Sequence, residues 1–274
     1  MTHRGACLAL DSFEFVHKGH LKMANRVVEL AKQNGLKSII LSCPMEGEVY
    51  TTEKEKEYLL KSTGVEEFRT VLDVGENLFS NLLKEFKEVM VVVEDSYENL
   101  AKIRELSERF HFKLEVVKRE SYSGRVITYG WLEEVFEAND FELLKELCGH
   151  PYILIGDVVH GKKLGRTVGM PTINLHIYKT KKRPNLGVYA TKVTLGEETY
   201  KAATNVGKRP TVDDFDYVTI ETFILEFDKQ IYGEICLLEV HKYLREVQKF
   251  DSLEAVQEQV QKDVNKVNEL FDQA

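Results

Sequence analysis

The chain has 274 residues, and 37 Lys and Arg stand against 45 Asp and Glu for a formal charge of −8. That length accommodates two domains of ordinary size, and 43% hydrophobic with 30% charged residues excludes a disordered chain. The net charge has the wrong sign for wrapping nucleic acid or adsorbing to anionic lipid, so an anionic ligand must be met by local basic groups.

No apolar run reaches the ~20 residues of a membrane span. The opening MTHRGACLALDSFEF lacks the pattern of a signal peptide, which leads us to expect a cytoplasmic protein. Cys7, Cys43, Cys148 and Cys236 lie far apart with no CxxC pair, and are expected to be buried reduced thiols.

In chain order, residues 6–10 read as a strand, 19–34 as an amphipathic helix, 38–42 as a strand, and 53–62 and 78–86 as helices. A buried strand is predicted at 89–93, a helix at 99–110 and a strand at 113–117. This alternation implies a parallel sheet with helices on both faces. Residues 131–147 read as two short helices around Ala138-Asn139-Asp140, after which Gly149-His150-Pro151 breaks the chain. We therefore expect domains at 1–149 and 150–274. Beyond the break, β-rich runs at 152–159, 189–195, 199–205, 219–227 and 234–243 lack intervening helices and suggest a small antiparallel barrel. A last amphipathic helix is expected with Asp251 as N-cap and Leu253, Val256, Val260, Val264, Val267 and Phe271 on its buried face.

Charge is unevenly divided. Residues 1–150 carry 20 basic and 27 acidic side chains, whereas 158–196 contain no Asp or Glu but eight Lys or Arg. Within that basic stretch stands GKKLGRTVGMPTIN, residues 161–174. Gly161, Gly165 and Gly169 allow backbone N–H groups to approach phosphate oxygens closely, with Lys162 and Arg166 between them. It is neither a Walker A loop nor a dinucleotide fingerprint, and a plain β-turn is the alternative reading of the glycine spacing. After Pro171, alternation along a strand would turn Thr172 and Asn174 to one face, giving a hydroxyl and an amide oxygen suited to Mg²⁺. A second Gly/Pro turn contains Asn205, and Glu221 sits in an apolar run where a carboxylate needs a reason. Glu221 is either a salt-bridged or edge-strand residue or a general base for phosphoryl transfer.

The runs VVHGKKLGRTVGMPTINL, PNLGVYA, ATNVGKRPT, IETFILEFDKQIYG and YLREVQKF resemble, in order and spacing, the kinase module of bacterial bifunctional riboflavin kinase/FMN adenylyltransferases (FAD synthetases). The resemblance covers 150–274. It implies a six-stranded barrel with a C-terminal helix that moves the ATP γ-phosphate onto the riboflavin 5′-hydroxyl to make FMN. Thr172 would then bind Mg²⁺ with the phosphates, Asn174 would support it, and the 161–169 loop would close over them. Glu221 would be the base, with Asn205 on the nucleotide and Arg245 on the flavin. Met170 departs from the family's usual Phe and remains an apolar filler.

The same family begins with a Rossmann-like nucleotidylyltransferase domain carrying an HxGH motif, here His17-Lys18-Gly19-His20. Its other landmarks are altered. GNFDGVHxGH becomes DSFEFVHKGH, TFxPHP becomes LSCPMEG, GxDFxFG becomes VEDSYE, and ISSTxIR becomes ITYGWLE, which puts Glu133 where a phosphate-binding Arg belongs. The first domain is thus expected to keep the fold without forming FAD, leaving His17, Gly19 and His20 as a vestigial site. The expected partners are riboflavin and ATP, with no nucleic acid or membrane and a monomeric state. Full bifunctionality and a flavin-responsive regulatory role are the competing readings.

Overall fold

Seven residues, GACLALD, are small or aliphatic enough to be enclosed on both faces, and they form the central strand β1 (Gly5–Asp11). The computed structural model describes residues 5–159, 171–209, 217–229 and 231–272. From β1 the chain runs through α1 (Lys18–Asn34), β2 (Lys37–Ser42), α2 (Glu53–Lys61), β3 (Glu67–Thr70), α3 (Glu76–Glu85), β4 (Glu88–Glu94), α4 (Leu100–Phe110) and β5 (Lys113–Val117). The sheet is parallel with order β3-β2-β1-β4-β5. The sequence crosses from β1 outward to β3 and then back to β4, so the reversal of direction lies between β1 and β4. Leu8, Leu10, Ile39, Val91 and Val93 pack on Phe79 of α3 and Ile103 of α4. The alternate residues Cys7, Ala9 and Ile40 are fully buried on the opposite face, where α1 lies along β1, β2 and β4.

A short hairpin, β6 (Ser121–Tyr122) with β7 (Arg125–Val126), precedes α5 (Tyr129–Glu137) and α6 (Phe141–Cys148). Residues up to Trp131 with Leu147–Gly149 make one compact unit, and Leu132–Glu146 with the residues from His150 onward make the other. The sequence reading divides the chain at 149/150. Grouped by contacts, most of α5 and α6 goes with the barrel, where Phe136 meets Tyr152 at 4.9 Å and Phe141 meets Tyr189 at 5.5 Å.

The second unit contains β8 (Tyr152–Val159), β9 (Thr172–Ile177), β10 (Gly187–Leu195), β11 (Glu198–Arg209), β12 (Tyr217–Ile224) and β13 (Ile235–Arg245), followed by α7 (Leu253–Asp272). The six strands close into an antiparallel barrel of order β10-β11-β12-β9-β8-β13. Helix α7 covers part of its outer wall, with Val264, Val267 and Phe271 against Ala190, Ala203 and Phe223. Two expectations for this helix need correction. Its N-cap is Ser252, whose Oγ accepts the N–H of Ala255 at 3.1 Å, not Asp251. Leu253 is 59% exposed and not on the buried face.

The four cysteines are free; Cys7, Cys148 and Cys236 are buried and Cys43 half-buried. Burial pushes the thiols of Cys7, Cys43 and Cys236 up to about 12, which leaves them protonated and inert. Among the described residues no helix is long and apolar enough to cross a membrane.

Candidate functional site

Barrel register brings three of the sequence candidates onto one rung. Asn174 of β9 is the direct partner of Glu221 on β12, and Glu221 is the partner of Asn205 on β11. Cross-strand partners share a face, so an amide, a carboxylate and a second amide stand side by side. The neighbouring rung on that face is Thr172, Phe223 and Ala203. Phe223 and Ala203 lie under α7, so the helix shields one side of the polar row. Thr172, Asn174, Asn205 and Glu221 are all half-buried, which leaves the row accessible to a ligand. Pro171 is exposed at the start of β9. Gly161, Lys162, Gly165, Arg166 and Gly169 lie outside the described residues.

The opposite face of these strands holds a feature that the sequence reading misses. Thr191, Thr204 and Thr222 are at most 1% exposed, and their hydroxyls link Thr191 to Thr204 at 2.8 Å and Thr204 to Thr222 at 2.9 Å. The Thr191 hydroxyl donates on to the carbonyl of Ala202 at 3.1 Å. Thr204 and Thr222 immediately precede or follow Asn205 and Glu221 in the chain. This internal ladder therefore locks the strand pairing that sets the outer polar row. The signal in sequence is only three scattered threonines in apolar runs.

Arg245 ends β13 and is held by α7. Its Nε and Nη2 donate to both carboxylate oxygens of Asp263, the shortest at 2.7 Å, and its Nη1 donates to the carbonyl of Glu246 at 2.9 Å. Gln259 donates to the same carboxylate at 3.0 Å. Asp263 is 2% exposed, a buried acid that the helical pattern does not flag.

In the first unit, His17 and His20 act as helix caps. His17 is the N-cap of α1, and its Nδ1 accepts the N–H of Gly19 at 3.1 Å; the Nδ1 of His20 accepts the N–H of His17 at 3.3 Å. The two rings stack at 3.7 Å. Burial, with help from the charge of Lys56, lowers His20 to about 3, so its ring is neutral at ordinary pH. Gly19 has no room for a side chain, because a Cβ there would stand 2.6 Å from Oε1 of Glu94 and 2.8 Å from Cε1 of His17.

The loop between β1 and α1 keeps unusual backbone angles without glycines. Phe13, Phe15 and Val16 have φ of 54°, 61° and 47°. Phe15 stacks on Tyr50 at 4.1 Å and meets Tyr129 edge-on at 5.9 Å, which offsets the cost of the left-handed conformation. Glu14, also buried, accepts the N–H of Tyr50 at 2.8 Å and that of Thr51 at 3.3 Å, and pairs with Lys56 at 2.9 Å. Backbone donors and an ammonium that could receive a phosphate are thus occupied by the chain's own carboxylate. A cavity of about 680 Å³ opens beside these residues, lined among others by Asp11, Glu94 and Tyr97.

Comparison with known proteins finds two family models. Residues 148–271 match the family model described as Riboflavin kinase, and residues 9–157 match the one described as Cytidylyltransferase-like. The chain is 27% identical to a bifunctional riboflavin kinase/FMN adenylyltransferase of Haemophilus influenzae, across 98% of this chain and 95% of that protein. It is 26% identical to the protein of the same description from Listeria monocytogenes, across 96% of this chain and 92% of that one. The crystal structure of a macrolide-efflux protein from Streptococcus pneumoniae superposes with a TM-score of 0.81 at 24% identity, covering 96% of this chain and 94% of that one; the likeness is one of fold.

Proposed function

We propose that this chain, which belongs to the cytidylyltransferase-like family through residues 9–157 and is related along nearly its whole length to bifunctional riboflavin kinase/FMN adenylyltransferases, is an ATP-dependent riboflavin kinase. The match of 148–271 to Riboflavin kinase supplies the substrate class. The observation that carries the residue assignment is the rung Asn174, Glu221, Asn205, with Thr172 two positions from Asn174 on β9. Glu221 takes the proton of the riboflavin 5′-hydroxyl as that oxygen bonds to the γ-phosphorus of ATP; the bond from γ-phosphorus to the β,γ-bridging oxygen breaks, and ADP leaves. Asn205 orients the nucleotide, and Arg245, fixed by Asp263, stands on the flavin side. Gly161, Lys162, Gly165, Arg166 and Gly169 enclose the phosphates in this reading.

Thr172 and Asn174 offer hard oxygen donors that fit Mg²⁺, and among the described residues no cluster of three His, Cys, Asp or Glu forms a dedicated metal cage. They would hold the ion together with ATP phosphates and water, and the bound ion would neutralise charge on the phosphates. The enzyme acts as a monomer in the cytoplasm on small molecules, without nucleic acid or membrane.

We assign no FMN adenylylation to the first unit, because Asp11 and Glu94 put negative charge at the cavity and Glu14 occupies the ammonium of Lys56. The bifunctional reading rests on the relatives' extent and description. Incubation with riboflavin and MgATP, followed by chromatographic separation of flavins, is expected to give FMN without FAD. FAD formed at a comparable rate establishes the bifunctional reading, and absence of FMN overturns the kinase.

A further inference from the structure

We propose that the cavity at the carboxyl ends of β1 and β4 is a binding site for a small organic amine cation that also carries a neutral hydrogen-bond acceptor. Asp11 ends β1 and Glu94 ends β4. The parallel register that pairs Gly5 with Glu88 and Ala9 with Val92, continued by two residues, brings the two carboxylates level. Both line the cavity, at the place where the strand order reverses and open α/β sheets receive ligands.

Neither carboxylate is in a close ion pair among the described residues, and the charges of His17 and Arg119 offset the burial of Asp11 and Glu94 only in part. Asp11 accepts the N–H of Ser12 at 2.6 Å, and Oε2 of Glu94 accepts the hydroxyl of Ser96 at 2.6 Å. Glu14, lining the same cavity, shows the ordinary solution, since Lys56 neutralises it. Arg119 at the cavity is engaged by Asp95 at 3.2 Å, and Lys102 is exposed. Carboxylates withdrawn from water are ordinarily paired. Burial raises both Asp11 and Glu94 above the usual carboxylate range, and the charge of Asp11 adds to the rise at Glu94. An amine cation between them relieves that repulsion, whereas a phosphate increases it.

A second, independent group opens on the same space. His20 is 5% exposed and lines the cavity. Its Nδ1 is committed as an acceptor to the N–H of His17, so in the neutral ring the proton is on Nε2. Among the described residues that N–H has no acceptor, and Oε1 of Glu94, whose side chain belongs to a residue 6% exposed, has no donor. His20 and Glu94 both line the cavity, which suits an acceptor and a cationic donor on one ligand. Tyr97, Tyr129 and Ile127 supply walls on which a cationic aromatic body can rest. Among the described residues no three-residue His, Cys, Asp or Glu cluster forms a dedicated metal cage there.

The test uses the full chain and calorimetric titration with tyramine, an arylalkylamine bearing a phenolic hydroxyl. Tyramine carries its amine on an ethyl chain and is a cation at neutral pH; its counterpart 3-(4-hydroxyphenyl)propionate keeps the body and reverses the charge. Tyramine is expected to bind at one site, the acid not to bind, and Glu94→Gln and Asp11→Asn each to weaken tyramine about tenfold or more. Far-UV circular dichroism and thermal melting check that each variant folds, and the two variants sit on different strands, so loss of one fold leaves the other informative. Absence of tyramine binding, equal binding of the acid, or unchanged binding by both variants overturns the proposal.

Discussion

Asn174 and Glu221 face one another as direct register partners on β9 and β12, and Asn205 extends the same rung on β11. In the kinase reading this places the proton acceptor between two amides that cannot themselves take a proton. Glu221→Gln keeps shape and hydrogen bonding but removes the base. It is expected to lower kcat for FMN formation by about 10²- to 10⁴-fold, with the unfolding midpoint nearly unchanged because the side chain is half-buried. A rate within a few-fold of the parent enzyme shows that Glu221 is not the base.

The internal hydroxyl ladder makes a prediction whose sign depends on how many members are removed. Thr204→Val leaves the Thr222 hydroxyl without its partner in a fully buried position, at a cost of about 1–3 kcal/mol. Replacing Thr191, Thr204 and Thr222 together by Val removes the polar groups in concert, and is expected to recover most of that loss. Thermal melting compares the two. A single and a triple variant with additive losses contradict the ladder. Residual loss of kcat in the triple variant, with stability restored, measures how far the ladder positions Glu221 and Asn205.

The elements legible in sequence are those whose environment is uniform. Strands β1, β2 and β4 are enclosed on both faces and read as unbroken apolar runs, and α1 and α4 as regular stripes. Strand β3 escapes because it is an edge strand of four residues, EFRT, paired only with β2, and its Arg69 is turned to Glu67 and Glu85. The chemistry of Thr172, Asn174 and Glu221 is legible as residue types, but their adjacency depends on a barrel register that no local pattern encodes. Phe15 stands where the family motif has glycine, yet it keeps a φ of 61°, held by its stack on Tyr50. Asp263 shows the reverse failure. It sits four residues before Val267 on the buried stripe, and its partners Arg245 and Gln259 explain a carboxylate there.

That pair yields a stability prediction. The Arg245 guanidinium and the Asp263 carboxylate are 15% and 2% exposed. Asp263→Ala leaves the guanidinium without its counter-charge under α7, and is expected to destabilise the second unit by about 3–5 kcal/mol. Arg245→Met combined with Asp263→Leu removes both charges and is expected to be near neutral or stabilising. Urea unfolding distinguishes these outcomes: if the double variant is as unstable as the single one, shape at this contact matters more than charge.

His20 sets the acid response of the first unit. Its pKa falls from an ordinary 6.5 to about 3 on folding, chiefly through burial and secondarily through Lys56. Between those values the unfolded chain holds a proton that the native chain does not, so stability is fully present above the unfolded value and is lost as pH falls toward the folded one. Each pH unit in that window is worth about 1.4 kcal/mol, an upper bound of about 2 kcal/mol between pH 6.5 and about pH 5. Asp11 and Glu94 act with the opposite sign, since the native state holds their protons more tightly, and they offset part of the loss nearest the carboxylate range. The single tryptophan, Trp131, reports unfolding of this unit. Urea midpoints followed by its fluorescence are expected to fall from about pH 7 to about pH 5. In His20→Asn, which keeps an acceptor for the N–H of His17, they are expected to flatten across the same range. Parallel curves for the two proteins place the acid sensitivity outside His20.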